Sequence, residues 1–260
     1  MSEPSPVRPP RHRGIYLLPN LFTTGAMFAG FYAIIASIGG RYTEAAVAVF
    51  IAALLDGMDG RVARMTGTQT EFGVQYDSLS DLVSFGLAPA LVMYTWSLSA
   101  LRDFGPLWGK LGWAAAFIYA ACAALRLARF NTQVGVADKR YFQGLASPAA
   151  AAVCMSFVWS VDKFGLAGSD FCFITPVIAI VVGLLMVSRF RYFSFKSLPM
   201  GDRQRVPFVW MVVAVLLLAL LILDTPRVLF AGFTLYLLSG PVWTIWSLAT
   251  HRRRARRSAA

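Results

Sequence analysis

Charge is what this 260-residue sequence has least of. Asp, Glu, Lys and Arg together make up 14% of it, against about 25% in soluble domains. That shortage, beside 57% hydrophobic residues, excludes an ordinary water-soluble globule. Histidine is limited to His12 and His251, both in basic terminal stretches and neither suited to a catalytic role. Cysteine is limited to Cys122, Cys154 and Cys172, all in or beside apolar runs and without metal spacing, so they read as packing residues. The sequence also lacks low-complexity linkers and any repeat with a period of roughly 20–50 residues. No boundary offers room for an inserted soluble domain.

What is present is a succession of uncharged apolar runs, at 14–40, 82–101, 141–161, 171–188, 206–223 and 228–250. Each approaches the roughly 20 apolar residues that a membrane-spanning helix needs. Two shorter runs, 45–55 and 111–125, reach that length only if the charged residues after them continue the helix. The expectation is an all-α, polytopic membrane bundle of about eight transmembrane helices in a single domain, 14–250. A disordered basic arm, 1–13, precedes it, and a basic tail, 251–260, follows. The arm is polar and Pro-rich and does not read as a targeting segment, and the first apolar run is too long for a signal-peptide core.

The net charge of +11 is distributed unevenly. If the helices alternate and both ends share one side, that side carries 19 of the 24 Lys and Arg residues, leaving Arg41, Arg102, Lys110, Lys163 and Arg227 opposite. Such a bias orients both termini to the cytoplasm, in the cell inner (plasma) membrane. The tail His251–Arg257 reads as an orientation signal against anionic headgroups, not as a nucleic-acid site, since no interleaved aromatics accompany it. Trp96, Trp108 and Trp159 read as interface anchors.

The acidic residues concentrate where two runs meet the cytoplasmic side. Asp56 and Asp59 are spaced i, i+3, and Asp77 and Asp81 are spaced i, i+4, so each pair shares a helix face. Carboxylates at that depth are costly unless paired or bound to a cation. Hard oxygen ligands without nearby His or Cys select Mg²⁺, Mn²⁺ or Ca²⁺. Gly57, Gly60, Gly67 and Gly73 suit backbone turns and close ligand approach. Arg61 and Arg64 offer guanidinium forks to phosphate oxygens. The expected site therefore lies at the cytoplasmic ends of helices 2 and 3.

The stretch Asp56-Gly-Met-Asp59-Gly60-Arg-Val-Ala63-Arg64, followed by Gly73-Val-Gln-Tyr-Asp77-Ser-Leu-Ser-Asp81, resembles the full signature of the CDP-alcohol phosphotransferases. That resemblance implies two divalent ions, Mn²⁺ or Mg²⁺, held by Asp56, Asp59, Asp77 and Asp81, with Asp81 also the general base. It implies that Gly60, Ala63, Arg64 and Gly73 line the CDP site. The segments Tyr16–Thr23, Arg126–Asn131, Phe142–Ala150, Ser188–Lys196 and Arg205–Pro207 resemble the branch that uses CDP-diacylglycerol and L-serine, releasing CMP. Ala146 departs from it, where proline is usual. Family precedent implies a homodimer.

Several residues keep two readings. Asn20 and Thr23 are either helix-interface polar residues or part of the CDP-diacylglycerol site. Arg126, Arg129 and Asn131 either anchor helix 4 at the cytoplasmic side or hold the serine carboxylate or lipid phosphate. Alternatives to serine transfer are a glycerol 3-phosphate or inositol phosphate acceptor, a cation transporter with mid-membrane aspartates, or a non-catalytic scaffold.

Overall fold

The structure, a computed structural model, describes residues 17–67, 70–132, 141–193 and 208–258. The first apolar run folds as α1 (Leu17–Ile38) and turns back at Gly40 into α2 (Tyr42–Thr66). Small residues let the two pack closely: Ala26, Ala29, Ala33 and Ala36 on α1, and Ala45, Ala48 and Ala52 on α2, are buried. The charged residues after the short run do continue the helix, so Asp56, Asp59, Arg61 and Arg64 all lie on α2. Gly67, in the left-handed conformation, ends it by donating its N–H to the Ala63 carbonyl.

Thr70 then caps α3 (Glu71–Asp81), its side chain accepting from the Gly73 N–H at 3.0 Å. This helix begins eleven residues before the apolar run that suggested it, so Asp77 and Asp81 lie within a helix and not at its start. A π-helical turn (Leu82–Leu87), α4 (Ala88–Trp96) and a 3₁₀ turn (Leu98–Phe104) complete this length of chain. α5 (Pro106–Thr132) follows, extending past Leu125 through the charged residues as the short run required.

α6 (Ser147–Lys163) is the most enclosed element; its Ala150–Val158 stretch is buried throughout, with α2 and α9 packed on it. α7 (Thr175–Val187) lies on α5, where Gly183 lets the backbones approach. α8 (Phe208–Leu223) and α9 (Thr225–Ser258) close the described chain.

Two departures from the sequence expectation stand out. The run 141–161 does not start as helix: β1 (Tyr141–Gln143) pairs antiparallel with β2 (Arg191–Phe193), Phe142 opposite Tyr192. The all-α expectation thus misses one short two-stranded ladder. The run 171–188 enters its helix only at Thr175, after a 3₁₀ turn at Gly168–Phe171. α9 continues as helix through the basic residues to Ser258. The arm 1–13, and the basic residues Lys139, Arg140, Lys196, Arg203 and Arg205, lie outside the described residues.

Among the described residues, three helical stretches are long and apolar enough to cross a membrane: Leu18–Ile38, Glu71–Phe104 and Pro106–Thr132. α2 is of similar length but carries Glu44, Asp56, Asp59, Arg61 and Arg64. The loops assigned to the poorly charged side meet at one end of the bundle. Thr43 donates through N–H and hydroxyl to Asp162 (3.1 and 2.7 Å), Tyr42 donates to the Thr95 carbonyl (3.1 Å), and Lys163 pairs with Asp224 (3.5 Å).

Candidate metal and phosphate site

The opposite end of the bundle gathers the acidic residues. α2 brings Asp56 and Asp59, and α3 brings Asp77; one carboxylate oxygen from each lies within 4.8 Å of the others. Oxygens bound to one Mg²⁺ or Ca²⁺ at about 2.0–2.6 Å are separated by no more than about 4–5 Å, so this spacing fits a shared divalent cation. The Asp77 Oδ1 atom is buried and has no hydrogen-bond partner. An unpartnered buried carboxylate oxygen is expensive without a cation, and the donor set is all hard oxygen. The residues present fit the group.

Each aspartate has a distinct setting. Asp59 is 5% exposed and accepts from Thr23 Oγ1 at 2.7 Å, which ties α1 to the cluster. Asp56 lies within hydrogen-bonding reach of both Asp77 and Asp81, a carboxylate flanked by carboxylates. Asp81 stands outside the group of three, within hydrogen-bonding reach of Asp56 and in the electrostatic surroundings of Arg126.

α1 forms the near wall through hydroxyls that reach between helices. Ser80 donates to the Thr23 carbonyl and Ser84 to the Ala26 carbonyl, both at 3.0 Å, while Thr24 and Tyr76 share a hydrogen bond at 2.9 Å. A side chain on Gly30 would strike the Ser84 backbone, so glycine there permits the approach. The π turn directly after Asp81 shifts the backbone register, and Tyr119 from α5 donates to the Phe85 carbonyl within it (3.1 Å).

The glycines expected in turns divide. Gly67 ends α2, whereas Gly57 and Gly60 are helical and Gly73 lies in the first turn of α3. A Cβ on Gly57 would meet nothing within 4 Å, and one on Gly60 would meet only the Arg64 guanidinium, at 3.6 Å. The surface beside the aspartates is thereby left open. Gly73 sits near the Asn20 amide oxygen, so Asn20, Thr23 and Gly73 converge on one side of the cluster. Ala63 is half-buried, and Arg61 and Arg64 are exposed on the last turns of α2.

The α5 residues come in from the other side. Arg126 Nη1 donates to Ser147 Oγ (2.7 Å), Arg129 Nη1 to the Val187 carbonyl (2.9 Å), and the Asn131 amide to Ser78 Oγ (3.0 Å). Sequence reasoning missed Ser78 and Ser147; Ser147 lies in the Phe142–Ala150 segment, but nothing local marks it as a partner of Arg126. Between α1 and α2, an apolar groove of about 610 Å³ lined by Gly25, Ala29, Ala48, Ile51 and Leu55 ends one residue before Asp56.

A bundle of apolar helices with an aspartate cluster, exposed arginines and an open glycine surface at one end defines a membrane protein with a polar site for charged ligands. A model of the CDP-alcohol phosphatidyltransferase family matches residues 16–185, and the chain belongs to that family. It is 35% identical over 183 residues to the CDP-diacylglycerol–serine O-phosphatidyltransferase of Helicobacter pylori, covering 70% of this chain and 74% of that protein. The protein of the same name from Mycobacterium bovis is 37% identical over 166 residues, covering 61% and 55%. An archaetidylserine synthase of Methanothermobacter thermautotrophicus is 34% identical over 177 residues, covering 67% and 69%.

Proposed function

We propose that this chain transfers the phosphatidyl group of CDP-diacylglycerol to the hydroxyl of L-serine, giving phosphatidylserine and CMP. The observation that carries the reading is the three-carboxylate cluster with its unpartnered Asp77 oxygen, in a family member whose named relatives transfer to serine. The cluster lies beside the exposed arginines at one end of the bundle, where a transporter would need it near mid-membrane.

Asp56, Asp59 and Asp77, with Asp81, would hold divalent metal, Mg²⁺ or Mn²⁺, as two ions. Bound there, the ions supply Lewis acidity that neutralises charge on the diphosphate. Gly60, Ala63 and Arg64 on α2, with Asn20, Thr23 and Gly73 across from them, form the nucleotide side. Arg64 places its guanidinium against phosphate oxygens. Asp81 takes the serine hydroxyl proton while that oxygen bonds to the lipid-side phosphorus; the bond from that phosphorus to the CMP oxygen breaks, and CMP leaves. The apolar groove between α1 and α2, which reaches Leu55, would give acyl chains access from the bilayer. Arg126, Arg129 and Asn131 border the acceptor side. In the cell inner membrane, eight helices would place both termini in the cytoplasm, and the chain would work as a homodimer.

The test is purified protein with labelled CDP-diacylglycerol, Mn²⁺ or Mg²⁺, and a panel of alcohols. Phosphatidylserine and CMP in equal amounts, abolished by chelator, are expected. Transfer to glycerol 3-phosphate or inositol phosphate in preference to serine would overturn the reading.

A further inference from the structure

At the end of the bundle away from the aspartates, the chain turns between two stretches long and apolar enough to cross a membrane, Glu71–Phe104 and Pro106–Thr132. The turn is Gly105, at φ +117°, a conformation that side chains rarely adopt. It lies where the chain leaves the bilayer and re-enters it. There the 3₁₀ turn and the first turns of α5 frame a cavity of about 480 Å³, lined by Arg102, Gly105, Pro106, Gly109, Lys110 and Trp113. A Cβ on Gly109 would come to 3.0 Å from the Arg102 Cγ, so glycine lets the arginine stem lie against α5. The Arg102 Nε–H donates to the Ser99 carbonyl (3.0 Å), which orients the guanidinium.

The basic residues at this end divide into two kinds. Arg41 pairs with Glu44 (2.9 Å), and Lys163 and Arg227 both pair with Asp224 (3.5 and 3.3 Å). Among the described residues Arg102 and Lys110 make no ion pair, yet both line the one cavity. Asp103, beside Arg102 in sequence, is exposed and pairs with neither. Two like charges on one cavity without a protein counter-ion are matched by an anion.

The surroundings suit a lipid anion better than a soluble one. Phe104 and Trp108 meet Phe173 edge to face (5.0 and 5.3 Å), and Trp113 stacks on Phe117 one turn further along α5 (5.5 Å). Trp108, Trp113 and Phe117 all remain exposed. Exposed tryptophans at the end of a membrane helix mark the level of the headgroups. The Trp113–Phe117 strip then offers an acyl chain an apolar surface leading from the two cations into the bilayer.

We propose that Arg102 and Lys110 bind the phosphate of a net-anionic phospholipid in the leaflet on this side, at a site separate from the aspartates and independent of the serine-transfer reading. Arg102 supplies a guanidinium fork and Lys110 a point charge, while an acyl chain lies along Trp113 and Phe117. A zwitterionic lipid would add its own cation to the two already there, so it fits less well.

The experiment uses the full chain in neutral detergent, with bound lipid counted by native mass spectrometry during titration with phosphatidylglycerol. Wild type is compared with Arg102→Gln, Lys110→Gln, the double variant, and Arg41→Gln, whose cation is already paired. Each cation near the membrane surface changes anionic-lipid affinity about fivefold, so each single variant should weaken one lipid site about fivefold and the double variant about 25-fold. Arg41→Gln should leave that site unchanged, and phosphatidylcholine should bind wild type and double variant alike. Inorganic phosphate should displace the lipid no more than chloride of the same ionic strength does. Equal phosphatidylglycerol binding by wild type and the double variant, or specific displacement by phosphate, would overturn the proposal. A photoreactive phosphatidylglycerol gives a readout on the unaltered protein: its crosslinks should include the Arg102–Trp113 peptide, and their absence there would overturn it equally.

Discussion

Replacing Asp77 by Asn should stabilise the metal-free protein while abolishing its activity. Asp77, Asp56 and Asp59 each bring an oxygen within 4.8 Å of the others, and no basic side chain is hydrogen-bonded to them among the described residues. Two like charges at that distance repel by about 3.5 kcal/mol at an effective dielectric constant near 20. A proton shared within the cluster relieves part of this, so removing the Asp77 charge should recover about 1–3 kcal/mol. Asn also offers N–H donors to the carboxylates beside it. For a chain of this size each kcal/mol moves the melting temperature by about 2–4 °C, so a rise of several degrees is expected in detergent with chelator. Metal at about a hundredfold over its Kd should stabilise wild type by about 2.7 kcal/mol, and the variant should lose most of that gain. The assay pairs thermal unfolding, with and without Mn²⁺, with release of labelled CMP. A variant that melts lower than wild type in chelator, or that responds to metal as wild type does, would refute the reasoning.

Asp81→Asn keeps size but loses basicity, so turnover with serine should fall about 10²–10⁴-fold while CDP-diacylglycerol affinity is retained; a matching loss of affinity would make Asp81 chiefly a ligand. Gly30→Ala would bring a Cβ to 2.7 Å from the Ser84 Cα, and such overpacking should cost about 1–3 kcal/mol, read as a lower melting temperature; an unchanged one would contradict the close α1 contact. A reporter after Ala260 should read cytoplasmic and one near Gly168 external; finding both on one side would break the eight-helix topology.

The parts of the fold legible in the sequence were those set by hydrophobic length and residue spacing. Asp56 with Asp59, and Asp77 with Asp81, were placed on helix faces by spacing alone, and α2 and α5 did run on through the charges that follow their short apolar runs. Hidden from the sequence were features decided by tertiary partners. The π turn after Asp81 receives a hydrogen bond at its Phe85 carbonyl from Tyr119, 34 residues away. The ladder of Tyr141–Gln143 with Arg191–Phe193 needs two segments nearly 50 residues apart, and apolar content alone made the first look helical. The different settings of Arg126, Arg129 and Asn131 depend on Ser147, Val187 and Ser78, none adjacent in sequence.

The central claim, that this membrane protein joins serine to a phosphatidyl group at the aspartate cluster, is tested most directly by one reaction. Purified protein in detergent is given CDP-diacylglycerol labelled in its lipid phosphate, L-serine labelled with a second isotope, and Mn²⁺. Both labels should appear together in one lipid product, at one CMP per product, and wild type should lose this activity in chelator and regain it on metal addition. Formation of CMP without serine entering the lipid, or undiminished transfer in excess chelator, would contradict the account.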